Sequence, residues 1–461
     1  MKVYIFGTGR YYQLYKNYFK KTDIIALFDN NTAKTGNIID GHVVEKFDIN
    51  HLGIFDYIYI LIRKYLPVKE QLIDMGVPEN KICSWRSGLV KLKYEYNMCK
   101  KYYSSTLENI PPKSVLLISH DLSYSGAPLA LLSLGRVLLR NGYNVVMASP
   151  VDNKQFREYI MNLGIDVVID GNLAIGNLED ISWVKEFQYV VVNTALMYYL
   201  LSAINSEQKV LWWLHECSQT YNEIRDSIGI DKYCMNKISK NNIDIYSVGP
   251  VAEHCLKMLH EFTNIKYLLY GLDDFYINTK ILRNDKIVAM IGSNIHVKGI
   301  DLFVKIAEML KSRQYIGVRF VAVVSNAECI QREFDNEYSC KCNVQFIENM
   351  EHDLLKLFYR EIFALMVPSR MDVMPIVAAE AFMNHIPVLI SSAAGTAQYI
   401  EEGVNGFVCD PGNLQEWTDK LQYLIYNPDK AEEIGHAGRQ IYENIFSMDV
   451  FEKNVLRIFD N

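Results

Sequence analysis

No C-x-x-C pair occurs among the nine cysteines of this 461-residue chain. The C-K-C at 340–342 is too close for the usual zinc-ligand spacing. Free thiols in a reducing compartment are the simpler account, and a disulfide-stapled secreted domain is disfavoured. A membrane-length apolar run is also missing. The longest candidate, Val190 to Ile204, is too short to span and is interrupted by Asn193 and Thr194. The start, M-K-V-Y-I-F-G-T-G, lacks the form of a signal peptide because glycine breaks its apolar run at once. Basic residues are not massed and the net charge is -7, which argues against nucleic acid as a partner. These absences predict a cytoplasmic protein.

What is present fits a globular enzyme of two to four domains, with 50% hydrophobic and 22% charged residues. Charge is uneven. Residues 1–103 carry 16 Lys+Arg against 10 Asp+Glu, an excess of +6, so the remainder carries -13. A basic stretch with interleaved aromatics, Trp85 to Tyr103, closes the first region. It reads either as a solvated linker helix or as a surface that rests peripherally on an anionic inner membrane face.

Strand-like and helix-like segments alternate almost throughout, which predicts an α/β chain with parallel sheets and helical crossovers. The first unit, V-Y-I-F-G-T-G-R-Y-Y followed by I-I-A-L-F-D-N-N, reads as a small Rossmann-like domain ending near Trp85. Gly7 and Gly9 form its glycine turn, but Tyr12 stands where the dinucleotide fingerprint wants a third small residue. Asp29 ends the second strand where a ribose-binding acid would lie. The domain is therefore either a nucleotide pocket or a retained fold used for docking. A dehydrogenase is disfavoured because no catalytic constellation accompanies the turn.

The most informative stretch is P-S-R-M-D-V-M-P-I-V-A-A-E-A, from Pro368 to Ala381. Asp372 and Glu380 stand eight positions apart, after a strand-like segment from Phe363 to Val367. A helix starting near Met374 or Pro375 puts Asp372 in the loop before it and Glu380 about two turns in. Free N–H groups at such a start, Ile376 first because Pro375 has none, attract phosphate. A carboxylate deeper in the helix accepts hydrogen bonds from sugar hydroxyls. The arrangement suits a nucleotide-sugar; the plainer alternative is an ordinary strand–turn–helix with a solvent-facing Glu.

Other segments recur around it in a fixed order: S-Y-S-G-A-P-L-A-L-L-S-L, L-W-W-L-H-E, Y-G-L-D-D-F, I-G-S-N-I-H-V-K-G-I-D, then I-P-V-L-I-S-S-A-A-G-T-A-Q-Y-I and G-V-N-G-F-V. With the paired acids, which match an E-x7-E signature with Asp in first place, they make residues 114 to 461 resemble family 4 glycosyltransferases. Those are retaining, GT-B-fold enzymes of the group 1 class. The resemblance implies two facing Rossmann-like lobes behind the extra N-terminal domain: residues 1–103 as that domain and its linker, 112–275 as the acceptor-side lobe, and 283–446 as the donor-side lobe. A terminal helix, 447–461, would pack back on the first lobe.

The resemblance also implies roles. Gly126 and Ala127 lie beside the donor's reacting centre, and His215, at the end of V-L-W-W-L, helps place the donor sugar. Lys298 offsets charge on the leaving diphosphate. Asp372 and Glu380 are the paired acids, and Met374 and Ile376 form the helix start. Four positions depart from the family pattern: Ser293 stands where Arg is usual, Asp372 replaces Glu, and Ala394 and Gln398 replace a glycine and a Glu. Arg370 is the candidate to supply the missing cation. No D-x-D motif is present, so a metal-independent reaction without cofactor is expected, with a UDP-sugar as first choice of donor and a glycan or lipid-linked acceptor. Bacterial surface polysaccharide synthesis is the implied setting. Two alternatives stay open: a catalytically silent sugar-nucleotide-binding partner of another transferase, and a GT-B epimerase or phosphorylase.

Overall fold

A computed structural model describes residues 1–62, 65–84, 101–102, 110–174, 181–201, 204, 207–218, 220–222, 243–258, 262, 264–278, 285–292, 295–311, 317–338 and 342–460. Ser293 and nearly all of the basic stretch 85–103 lie outside these residues. The chain forms three sheets. In spatial order the first contains Ile38–Ile39, His42–Glu45, Asp23–Phe28, Lys2–Phe6, Tyr57–Ile60 and Ile82–Ser84. It is parallel except for the hairpin at its Ile38–Ile39 edge. This is the Rossmann-like N-terminal domain expected from the glycine turn. Its core is aromatic: Tyr4, Phe28, Phe47 and Phe55 pack edge-on or tilted with centroids 4.6 to 6.4 Å apart.

The second sheet runs Lys266–Tyr267, Ile243–Ser247, Lys209–Leu214, Tyr189–Asn193, Ser114–Ile118, Asn144–Ser149, Asp166–Ile169 and Lys101–Tyr102. Its central strands are near-continuous apolar runs, as buried parallel strands must be when helices cover both faces. Trp212 and Trp213 are fully buried on it. The last strand is a correction to the expected boundary at 103. Lys101–Tyr102 pairs antiparallel with Asp166–Ile169, so the end of the basic stretch belongs to this sheet. The apolar run after the second glycine turn predicts a helix from Leu129 to Leu139; it spans Gly126–Arg140, starting three residues earlier because Pro128 fits the first turn, where no N–H partner is needed.

The third sheet is wholly parallel: Val344–Glu348, Val318–Val324, Lys286–Ile291, Ile362–Val367, Val388–Ser391 and Phe407–Cys409. Helices Ile300–Lys311, Ala327–Glu337 and Leu414–Tyr426 bury Phe303, Phe334 and Trp417 in its core. No helix among the described residues is long and apolar enough to cross a membrane.

By compactness the chain divides into two units, Met1–Ile245 with Cys255–Ile265, and Tyr246–His254 with Lys266–Asn461. The N-terminal domain is grouped with the first lobe, and Ala174 of that lobe is buried in the cluster containing Tyr12 and Phe19. Two boundaries differ from those expected. Residues 246–254 and 266–275 join the second unit. There the Tyr270 hydroxyl donates to the Met374 carbonyl at 3.1 Å, and a side chain at Gly249 would run into Met374. The terminal helix, Met448–Phe459, is also counted in the second unit rather than the first. Its Phe451 lies so close to Gly271 that a Cβ there would sit 2.5 Å from the Phe451 Cβ.

Gly299 follows Lys298 with φ +75, and a Cβ would fall 2.1 Å from the Pro368 carbonyl oxygen. Gly36 has φ +87 with open space around it. The left-handed backbone alone costs an alanine ~1–2 kcal/mol. Gly36→Ala is expected to lose that much, and Gly299→Ala at least about twice as much, because backbone must move. Urea denaturation of both variants checks this; equal losses would contradict the close approach.

Candidate functional site

In the second unit the site is built at the carboxyl ends of two neighbouring strands. Lys286–Ile291 pairs in parallel with Ile362–Val367, so the loops that follow them emerge side by side. One leads through the short helix Ile295–Lys298, the other through Ser369 and Asp372. The Lys298 Nζ and the Asp372 Oδ2 meet at 2.6 Å, with Ser369 Oγ 3.4 Å from the same oxygen. The lysine stem crosses Gly292, where an added Cβ would come within 3.2 Å of its Cγ. Its side chain is 36% exposed, while that of Asp372 is 10% exposed. Residues 74 positions apart, both singled out from the sequence, are thus brought into one ion pair.

The helix after Asp372 is Ile376–Met383, with Pro375 at its N-cap. Its start is held from three sides. The Met374 carbonyl accepts from Tyr270, and its sulfur accepts from Thr396 Oγ1 at 3.2 Å. The Asp372 carbonyl accepts from the Gly395 N–H at 2.9 Å. A Cβ at Gly395 would fall 1.9 Å from the Val373 carbonyl oxygen, so glycine is needed there. Ala394, in the place of the family's second glycine, is buried without such conflict. Ile376 lies at the first helical position, as its expected N–H role requires.

Glu380 is on the second turn as expected, but it is buried and accepts a 2.6 Å hydrogen bond from the Tyr359 hydroxyl. Burial pushes its pKa up to about 7, against the opposing effect of that hydroxyl. The two acids therefore differ: Asp372 is paired with a cation, and Glu380 is close to neutral in an apolar wall. Arg370 does not stand as a spare phosphate cation. Its guanidinium forks onto Asp301 at 2.7 and 2.6 Å and also donates to the His296 carbonyl, and its own N–H donates to Val297. It braces the lysine loop against the Asp372 loop. Asp301 closes the I-G-S-N-I-H-V-K-G-I-D segment but has no role assigned to it, and Tyr359, the last residue of an amphipathic helix, carries no local signal.

In the first unit His215 follows the strand Lys209–Leu214 and is half-buried. Its Nε2 lies 2.9 Å from Asn193 Oδ1, and Asn193 Nδ2 donates to the Ala127 carbonyl at 3.0 Å. Gly126 and Ala127 open the helix Gly126–Arg140, so this turn and the histidine are joined through Asn193. Burial, with His120 nearby, lowers the His215 pKa to about 3, and the ring is neutral. Glu216 turns back, accepting from the N–H groups of His215 and Ala195. Burial raises its pKa to about 7.

In the N-terminal domain, Asp29 is occupied by its own turn. Its carboxylate accepts from the Thr8 N–H and hydroxyl, from Lys34 Nζ and from the Asn31 N–H. Tyr12, in the place of the third small residue, is a core side chain 1% exposed. Of the two readings, the retained fold is the one this geometry favours. Among the described residues no group of three or more His, Cys, Asp or Glu is placed to hold a metal ion.

Comparison with known proteins gives a consistent result. The family Glycosyl transferases group 1 matches residues 276–441, and Glycosyl-transferase family 4 matches residues 112–243. Residues 1–83 match C2185-like, N-terminal. An uncharacterized glycosyltransferase of Haemophilus influenzae is 24% identical over 342 residues, 70% of this chain and 93% of that protein. The capsular polysaccharide biosynthesis glycosyltransferase CapM of Staphylococcus aureus is 24% identical over 174 residues, 37% of this chain and 45% of CapM's length. Among solved structures, Anabaena HepE in complex with UDP-glucose superposes with a TM-score of 0.62 at 16% identity, over 75% of this chain and 99% of that one.

The raised pKa of Glu380 has a pH signature. An ordinary glutamate sits near 4.5, so between that value and about 7 the folded state holds a proton that the unfolded state has released. Its contribution is complete below the unfolded value and is lost as pH rises through about 7, on the order of 3 kcal/mol in all. Glu380→Gln is expected to flatten the fall in stability between pH 5 and 7.5, with Glu216 leaving a residual slope. Thermal denaturation across that range checks it; identical slopes for the two proteins would place the carboxyl in a wetter setting.

Proposed function

The chain belongs to the group 1 glycosyltransferases and has their GT-B fold, and from that premise we propose that it moves a sugar, with retention, from a nucleotide-sugar to a hydroxyl group. A UDP-sugar is the first choice of donor, in keeping with the UDP-glucose bound by HepE. A glycan or lipid-linked acceptor in bacterial surface polysaccharide synthesis fits the capsular polysaccharide biosynthesis role of CapM. The observation that carries the reading is the Lys298–Asp372 pair beside the start of Ile376–Met383.

The donor's nucleotide and diphosphate are assigned to the second unit. The diphosphate is placed at the helix start, where the first N–H groups, that of Ile376 foremost, point outward and the helix dipole favours an anion. Lys298 supplies the positive charge that gains most as the bond between C1 and the phosphate oxygen breaks. The new C1–oxygen bond forms on the same face, and the acceptor's proton passes to the departing phosphate oxygen. Positioning and electrostatics then supply most of the acceleration, and neither a separate protein base nor a metal enters this scheme.

The first unit receives the acceptor. Tyr124, 52% exposed, comes two residues before the Gly126 turn, and its ring centroid lies 6.2 Å from that of Tyr159, 43% exposed. Such paired ring faces, with Asp121, Ser123 and Ser125 around them, suit the apolar faces and hydroxyls of a sugar. Peripheral contact with the inner membrane surface through the basic stretch 85–103 belongs to the same proposal.

The test is donor hydrolysis across a panel of nucleotide-sugars. One donor, expected to be a UDP-sugar, is hydrolysed slowly by the wild type, and Lys298→Ala lowers kcat by ~10²–10³-fold. Binding without turnover in every acceptor mixture would favour the silent partner, and product formed from donor alone other than the free sugar would favour the epimerase or phosphorylase.

A further inference from the structure

Asn193 was no part of the expected site, yet it is fully buried and its amide joins two of the site's elements. It ends the strand Tyr189–Asn193, which pairs in parallel with Lys209–Leu214, with Asn193 opposite Trp213. The next residue, Thr194, has φ 82, an unfavourable conformation for a β-branched side chain. Two hydrogen bonds hold it there: its N–H donates to the Trp213 carbonyl at 2.8 Å, and its carbonyl accepts from Trp212 Nε1 at 3.0 Å. The turn at Thr194 is thus over-determined. It leaves Asn193 facing His215 and brings the Ala195 N–H to Glu216.

The direction of the amide follows from chemistry. The Ala127 carbonyl can only accept, so the Asn193 NH2 must face it and the amide oxygen must face His215. That oxygen can only accept in turn, so the hydrogen of the His215 ring is on Nε2 and its lone pair is on Nδ1. We propose that Asn193 is a positioning residue: it fixes the tautomer and ring orientation of His215 and ties both to the Gly126–Ala127 turn, so that Nδ1 is presented as an acceptor. The consequence for turnover rests on the glycosyltransferase reading; the tautomer does not. An acceptor nitrogen on a neutral ring takes a hydrogen bond from a sugar hydroxyl, whereas an imidazolium would only donate. The groups around the ring are consistent with neutrality: His120, itself paired with Asp121, would repel a second positive charge, and the Glu216 carboxyl is held by two backbone N–H groups.

The test reads ring nitrogens by NMR in the full-length protein labelled with 15N-histidine, together with hydrolysis of whichever nucleotide-sugar the donor panel identifies. Wild-type His215, assigned by its loss in His215→Gln, is expected to show the Nε2–H form with no titration between about pH 5 and 8. Asn193→Ala is expected to mix the tautomers and lower kcat on the order of 10–100-fold with little change in KM, the range for partners that orient a histidine. Asn193→Asp keeps the acceptor and the tautomer but places a carboxylate beside the ring, raising its pKa by ~1–3 units. Its rate is therefore expected to recover as pH rises, giving a limb in the pH profile that the wild type lacks. An Nδ1–H form in the wild type, or an unchanged tautomer in Asn193→Ala, overturns the proposal. If the wild type hydrolyses no donor while the tautomers behave as expected, the positioning role stands and the transferase reading is what fails.

Discussion

The ion pair between Lys298 and Asp372 is the contact on which the second unit's site depends. Neither residue is near the other in sequence; parallel pairing of Lys286–Ile291 with Ile362–Val367 is what sets their loops side by side. Once there, each solves a problem for the other. A lysine beside helix starts meets an unfavourable dipole, and a carboxylate 10% exposed loses most of its hydration. Paired at 2.6 Å they offset both costs while keeping the ammonium one-third exposed, available to a larger anion. The Arg370–Asp301 fork locks the two loops behind the pair, which explains why an arginine so close to the site is not free to bind phosphate.

The two acids of the signature illustrate how spacing and environment divide. Eight positions place Asp372 before the helix and Glu380 two turns inside it, and the burial of each follows from that. Asp372 keeps a cation within reach; Glu380 faces Tyr359 in an apolar wall, with its pKa near neutrality. In the first unit His215 and Glu216 are adjacent in sequence, yet one is pushed toward the neutral base and the other toward the neutral acid by the same loss of water. Loss of water thus favours the neutral form of His215, Glu216 and Glu380 alike.

Much of this is legible in the sequence. The glycine turn at Gly126, the helix start next to Pro375, the strand ends before His215 and Asp372, and the order of the motifs all follow from local patterns of glycine, proline and apolar runs, although the first helix begins at Gly126 rather than Leu129. What local pattern could not carry was pairing across the chain. Asn193 reads as an interruption in an apolar stretch and Arg370 as a cation for phosphate, while nothing local ties Arg370 to Asp301 or Tyr359 to Glu380. The unit boundary at 246–254 was missed for the same reason: it is fixed by the close approach of Gly249 to Met374, more than a hundred residues away. Asp29 shows the reverse case, where a residue in the right place for a ribose is already committed to Thr8 and Lys34.

The central claim is that Asp372 holds Lys298 in the place that a diphosphate takes over. Calorimetric titration of UDP into the wild type, Asp372→Asn and Lys298→Met tests it most directly. Removing the carboxylate frees the lysine and removes a repulsive charge, so Asp372→Asn should bind UDP at least as tightly as the wild type, while Lys298→Met should lose about tenfold or more. If Asp372→Asn loses UDP as badly as Lys298→Met, the carboxylate is part of the nucleotide's own binding surface and the account is wrong.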